Sequence, residues 1–118
     1  MREHSNLKAF EMADEIALLV YKLMQTFPKE EMFGLISQMR RAAVSVASNI
    51  VEGCARESQA EYLRFLEIAF GSLREAHYQL GLTQRLDFVN AASARACDDK
   101  MNEAEKGLGA LVRSMRAA

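Results

Sequence analysis

Residues Ser37 to Gly53 read SQMRRAAVSVASNIVEG, a run that sets two arginines and three serines into an otherwise helix-like apolar pattern. Met39, Ala42 or Ala43, Val46 and Ile50 recur at three and four residues, the spacing of one face of an α-helix, and Leu35 extends that face upstream. Gln38, Arg41, Ser45, Ser48 and Glu52 recur at the same spacing beside it, with Asn49 on the border. Ala42, Ala43 and Ala47 let a neighbouring helix come close, and serine and asparagine side chains are short enough to hydrogen-bond across such a contact. The stretch therefore reads as a bundle helix whose polar stripe is either solvated or, as Gln38, Ser45, Ser48, Asn49 and Glu52, a packing network that fixes register.

The flanking sequence supplies partners for that helix. Upstream, Leu7, Phe10, Ala13, Ala17, Val20, Met24 and Phe27 lie on one helical stripe, which Pro28 closes. In PKEE, proline near a first turn is followed by Glu30 and Glu31, where free amides favour acids, so the second helix is expected to start there and to carry Met32 on its stripe. Gly53 is expected to end it in the left-handed conformation. Ser58 and Glu61 have capping-box spacing ahead of a third helix that buries Tyr62, Phe65 or Leu66, Ala69, Leu73, Ala76 and Leu80 and runs to about Arg85. Leu86, Asp87 and Phe88 form a turn, Asn90 caps, and Ala94, Cys97, Met101, Ala104, Leu108, Leu111 and Met115 give the cleanest heptad in the chain. With no strand-like alternation anywhere, the fold class is all-α, an antiparallel up-and-down four-helix bundle, with residues 1–118 as one domain.

Composition narrows the function. A chain of 118 residues with 50% hydrophobic residues suits one compact domain that buries roughly 65 to 70% of its extended surface. Fifteen basic and 16 acidic residues give a net charge of -1, so nothing announces a polyanion or membrane partner. The first residues lack the apolar core of a signal peptide and no apolar run is long enough to span a membrane, which makes the cytoplasm the expected location. Cys54 and Cys97 lie far apart with no CxxC or histidine pair beside them, so no disulfide and no metal site is expected. His77 follows Glu75 by two residues and His4 follows Glu3 by one, whereas a carboxylate-bridged metal needs Glu-x-x-His on one helix face. Each histidine reads as exposed or locally hydrogen-bonded. Neither cysteine has a neighbouring base, and phosphate-loop and dinucleotide motifs are absent, so the expected protein is not an enzyme and holds no cofactor.

The run FPKEEMFGLISQMRRAAVSVASNIVEGCARES, followed by EYLRFLEIAFGSLREAHYQL, resembles the small four-helix proteins encoded by intervening sequences within bacterial 23S ribosomal RNA genes. It is similar as well to the accessory variability proteins of diversity-generating retroelements. The likeness spans residues 7 to 86 and rests on Gln38, Arg40, Arg41, Ser45, Ser48, Asn49, Glu52, Gly53 and Arg56, then on Glu61, Phe65, Gly71, Ser72 and Glu75. The resemblance implies an antiparallel four-helix bundle that assembles into a ring-shaped homopentamer. It implies nucleic-acid and reverse-transcriptase binding for the retroelement branch only, a strongly basic branch. The family commonly has proline where this chain has Ala47, so a kink there is not carried over.

Two surfaces follow as expectations. Phe33, Ile36, Ile68, Phe70, Tyr78 and Leu82 are apolar beyond what the four stripes require, which points to a homo-oligomer. Arg40, Arg41, Arg56, Arg64, Arg74 and Arg85 are the phosphate-facing set should RNA or DNA bind, but Glu30, Glu31, Glu52, Glu57 and Glu61 share the region, which reads first as a solvated face of mixed charge. A further protein partner is the remaining class.

Overall fold

The computed structural model describes residues 2–31 and 33–118, with side chains from Leu7 onward. Met32 and the side chain of His4 lie outside the described residues. Four helices follow in chain order: α1 (Arg2–Met24), α2 (Leu35–Cys54), α3 (Gln59–Arg85) and α4 (Ala91–Ala117), and a short 3-10 turn at Lys29–Glu31 precedes α2. Helices of 27 residues measure about 40 Å. They fit a molecule of 44 × 24 × 18 Å only when laid along its long axis, so the short connections make successive helices antiparallel. Each helix packs on two others, α1 on α2 and α4, α3 on α2 and α4, which makes the cross-section a square. The fold is the expected four-helix bundle.

Local chemistry explains most of the boundaries. The Ser58 hydroxyl accepts from the Glu61 amide at 3.1 Å, and the Asn90 side chain accepts from the Ser93 amide at 2.8 Å, so α3 and α4 start where side-chain acceptors meet free amides. Helix α3 stops in a Schellman arrangement: the Phe88 amide donates to the Thr83 carbonyl and the Asp87 amide to the Gln84 carbonyl. Asp87 takes the left-handed conformation this requires, with φ of 62°. The turn then brings the Phe88 ring against Phe27, centroids 5.8 Å apart, closing that end of the bundle.

The core holds Ile16, Val20 and Met24 of α1, Met39, Val46 and Ile50 of α2, Tyr62, Leu66, Leu73 and Leu80 of α3, and Met101, Leu108 and Val112 of α4, interleaved with alanines at Ala13, Ala43, Ala69, Ala76, Ala94 and Ala104. Several expectations are corrected. Leu7 is exposed and Ala17 half-buried, because α1 turns Ala9 and Ile16 inward beside the expected Ala13; burying Ile16 removes more apolar area from water than burying Ala17. The PKEE segment forms the 3-10 turn, and α2 begins only at Leu35, behind the N-cap Gly34. Glycine tolerates the bend at Gly34, and the Glu31 carboxylate reaches forward to accept from the Leu35 amide at 3.4 Å. Gly53 does not end its helix in the left-handed conformation, since α2 continues to Cys54. It is buried where a Cβ would stand 3.0 Å from the Phe65 Cβ and 3.3 Å from the Tyr62 ring, so it is the point of close approach between α2 and α3. Ile36, read as surplus surface, belongs to the core.

Candidate interaction surface on α2 and α3

The outer face of α2 carries Ser37, Arg41, Val44, Ser48 and Val51, spaced four and three apart along its solvent side. Phe33, just ahead of the helix, is 93% exposed. Together with Tyr21 of α1, residues Phe33, Ser37, Arg40, Arg41, Val44 and Ser48 line a shallow groove, in which the Arg40 guanidinium lies 4.8 Å from the centre of the Tyr21 ring. The outer face of α3 presents Arg64, Ile68, Gly71, Glu75, Tyr78, Leu82 and Arg85 at the same alternating spacing. Ile68 is 40% and Tyr78 61% exposed, and Leu82 is half-buried. Phe70 is not on this face: it packs against the core on the α4 side, where a Cβ at Gly109 would stand 3.3 Å from its ring. Ile68 and Phe70, two residues apart, point about 200° apart around the helix, and only one can face outward.

Between these two faces, Ser45 and Ser72 share a hydrogen bond of 2.9 Å across α2 and α3, and the Asn49 amide donates to both the Ser45 carbonyl (2.8 Å) and the Ser45 hydroxyl (2.9 Å). The hydrogen-bonded set is narrower than the stripe read from sequence. Gln38 and Ser48 are exposed, and Glu52 pairs with Arg56 one turn on, so these three do not bridge helices. Ser72 enters from α3, which the α2 pattern alone could not reveal.

The six arginines fall in four places. Arg40 and Arg41 edge the groove. Arg56 and Arg64 flank the Phe65 ring at 5.0 and 5.4 Å beside the α2–α3 turn. Arg74 turns toward α4, 3.9 Å from Glu105, and Arg85 lies 5.8 Å from the Tyr78 ring near the other end. Thirteen helical residues put roughly 20 Å between Arg41 and the end of α2 beside Arg56, more than two Debye lengths at physiological salt. They do not converge into one patch on a single chain.

A cluster that the sequence did not announce joins α3 to α4. His77 Nδ1 is 2.7 Å from Glu105 Oε2, and Nε2 is 2.7 Å from Asp98 Oδ1. The signal was available in the seven-residue spacing of Asp98 and Glu105, which places both carboxylates on one face of α4, but pairing them with His77 needs the α3–α4 register. One residue away, burial and the Asp98 charge push the Cys97 thiol up to about 11, so it stays protonated at neutral pH and behaves as a packing group. Among the described residues no His, Cys, Asp and Glu group is arranged to hold a metal ion, and no helix is long and apolar enough to cross a membrane.

A family model for 23S rRNA-intervening sequence proteins matches residues 5–110. The chain belongs to that family. A crystal structure of a protein of unknown function from the S23 ribosomal protein family of Bacteroides thetaiotaomicron shares its fold, with a TM-score of 0.84 over 92% of this chain and 98% of the other at 22% identity. No curated protein matches the sequence. In this intervening-sequence family member, many of the residues that carry the resemblance meet at one seam: Ser45 with Ser72 and Asn49, Gly53 against Phe65, and Arg56 between Glu52 and Phe65. That part of the family pattern thus reads as the chemistry of α2–α3 packing.

Proposed function

We propose that the chain is a non-catalytic, self-assembling interaction module that joins copies of itself through the outer faces of α2 and α3. The supporting observation is the uneven distribution of exposed large apolar side chains. Phe33, Val44, Val51, Ile68 and Tyr78 are exposed on or beside α2 and α3, α1 exposes Leu7, Leu18 and Tyr21, and α4 exposes none among the described residues. Water-exposed apolar groups repeated along the outer faces of two neighbouring helices are favourable to cover, at about 25 cal/mol per Å². The resemblance to ring-forming relatives suggests five subunits.

A second reading, as an RNA- or DNA-binding accessory protein, draws on the likeness to retroelement accessory proteins and on one local feature. Arg40 and Arg41 sit side by side at the groove, and Arg41 makes no ion pair with any described residue. Ring symmetry would repeat that pair around an assembly and multiply a weak electrostatic patch.

Native mass spectrometry of the purified chain and of Ile68→Asp, each with and without a mixed RNA pool at low salt, tests both readings. The expected result is an oligomer that Ile68→Asp dissociates without loss of helicity by circular dichroism. An unchanged assembly mass overturns the interface, and a wild-type monomer overturns self-assembly. RNA retained by the wild type and lost on reversing Arg40 and Arg41 would favour the second reading. Capture of a protein at salt concentrations that screen phosphate contacts would point to an adaptor instead.

A further inference from the structure

His77 stands half-buried in the α3–α4 seam with a carboxylate oxygen at hydrogen-bond distance from each ring nitrogen. A neutral imidazole has one N–H and one lone pair, so it can donate to only one of the two. The other nitrogen would then direct its lone pair at a carboxylate oxygen 2.7 Å away. Imidazolium donates from both nitrogens and satisfies both acids.

The surroundings are arranged for the cationic form. Asp98 and Glu105 come from α4, two turns apart, and bracket the ring. Asn102, between them in sequence, donates to the Asp98 carbonyl at 3.0 Å and to its carboxylate at 3.3 Å, which steadies that carboxylate. On His77's own helix, one turn back, Arg74 lies 3.9 Å from the other Glu105 oxygen. Among the described residues α2, on the far side of α3, supplies no charge acting on His77. The cluster thus holds two carboxylates against Arg74 and His77, and it is electrically balanced only while the histidine is protonated.

We propose that His77 is a proton-operated latch between α3 and α4, closed as imidazolium on Asp98 and Glu105 and opened when the ring loses its proton. Partial burial works against the charged form, but the hydrogen bonds to Asp98 and Glu105, reinforced by their negative charge, outweigh it and raise the His77 pKa above its ordinary 6.5. The folded-state value therefore lies above the unfolded one. The stabilisation is fully present below the unfolded pKa and is lost as pH rises through the raised folded value. With both carboxylates ionised, a pH below the raised value fastens α4 to α3, and a pH above it loosens that seam. This inference stands apart from the assembly reading, because the latch lies within one chain.

Urea unfolding of the full chain at fixed protein concentration, at several pH values between 6 and 9, tests the latch. His77→Gln is compared with the unaltered protein, both in a His4→Gln background that removes the other histidine. The expected result is a transition midpoint that falls with rising pH in the parent and stays level in His77→Gln, the two meeting at the alkaline end. The same fall in both, or no fall in the parent, overturns the proposal. NMR titration of the His77 ring in the otherwise unaltered chain supplies a readout that survives a badly folded variant. Its midpoint is expected above that of an exposed histidine and is expected to drop when Asp98→Asn and Glu105→Gln are combined; a midpoint at or below the ordinary value overturns the latch.

Discussion

Helices α2 and α4 stand diagonally across the bundle, each wedged between α1 and α3, and they are fastened to those neighbours by different chemistry. Helix α2 relies on close approach. Gly53 lets Phe65 and Tyr62 in, Ala42 and Ala43 bring backbones together, and the interhelical polar link to α3 is the neutral Ser45–Ser72 hydrogen bond. Helix α4 relies on charge at its edges: His77 to Asp98 and Glu105, Arg116 to Glu67, and Lys100 to Glu15 of α1 at 3.2 Å. Both helices bury an apolar stripe of the same period. The difference lies at the margins, where α2 is held to α3 largely by contacts indifferent to pH and salt, and α4 by ion pairs that respond to both.

If that contrast is sound, the largest effect belongs to the tightest approach. Gly53→Val would force a branched side chain into a site where even one methyl stands 3.0 Å from Phe65. Overpacking of this kind costs about 1 to 3 kcal/mol, and the branched side chain has little room to choose a relaxed rotamer. A loss of about 3 kcal/mol in urea unfolding is expected at every pH, and a variant of wild-type stability would show that the α2–α3 approach is slack.

A smaller effect is expected at the serine pair. Ser45→Ala leaves the part-buried Ser72 hydroxyl without its partner and takes one of the two acceptors from the Asn49 amide, for a cost of about 1 kcal/mol. Ser72→Ala should cost about the same. The double variant should cost less than the sum, since the second change removes a group already unsatisfied. Strict additivity would mean that the two hydroxyls do not act together, and a salt-dependent cost would contradict the neutral character given to this seam.

What the sequence disclosed follows the same division. The α2 seam was visible early because alanine, serine and glycine at helical spacing in SQMRRAAVSVASNIVEG state a packing requirement within one helix. Even so, Gly53 has the local pattern of a terminator, since a glycine after an apolar stripe looks the same whether it ends a helix or admits a neighbour. The stripe of α1 differs from its expected course for a related reason: Leu7 and Ala17 fit the helical period as well as Ala9 and Ile16 do, and only packing against α2 and α4 chooses between them. The PKEE segment carried the chemistry of a helix start but not the break that Gly34 imposes. The charged edges of α4 were hidden because an ion pair between helices depends on register, and His77 is 21 residues from Asp98 and 28 from Glu105. Phe70 likewise read as surplus surface until Gly109 of α4 was brought beneath its ring.

The smallest expected effect sharpens the charged side of the comparison. Arg116 donates to Glu67 through Nε at 2.8 Å and through a terminal nitrogen at 2.7 Å, joining the last turn of α4 to α3. Both side chains are substantially open to water, the arginine at 60%, so screening and the entropy of two long side chains leave little net gain. Arg116→Ala should therefore lower stability by no more than about 0.5 kcal/mol at low salt and by nothing measurable near 1 M salt. The same salt series should leave the cost of Gly53→Val untouched, because steric overlap is not screened. Were Arg116→Ala to cost more than Ser45→Ala at physiological salt, the edges of α4 would matter to stability as much as the close packing of α2, and the contrast between the two helices would have to be drawn in magnitude as well as in kind.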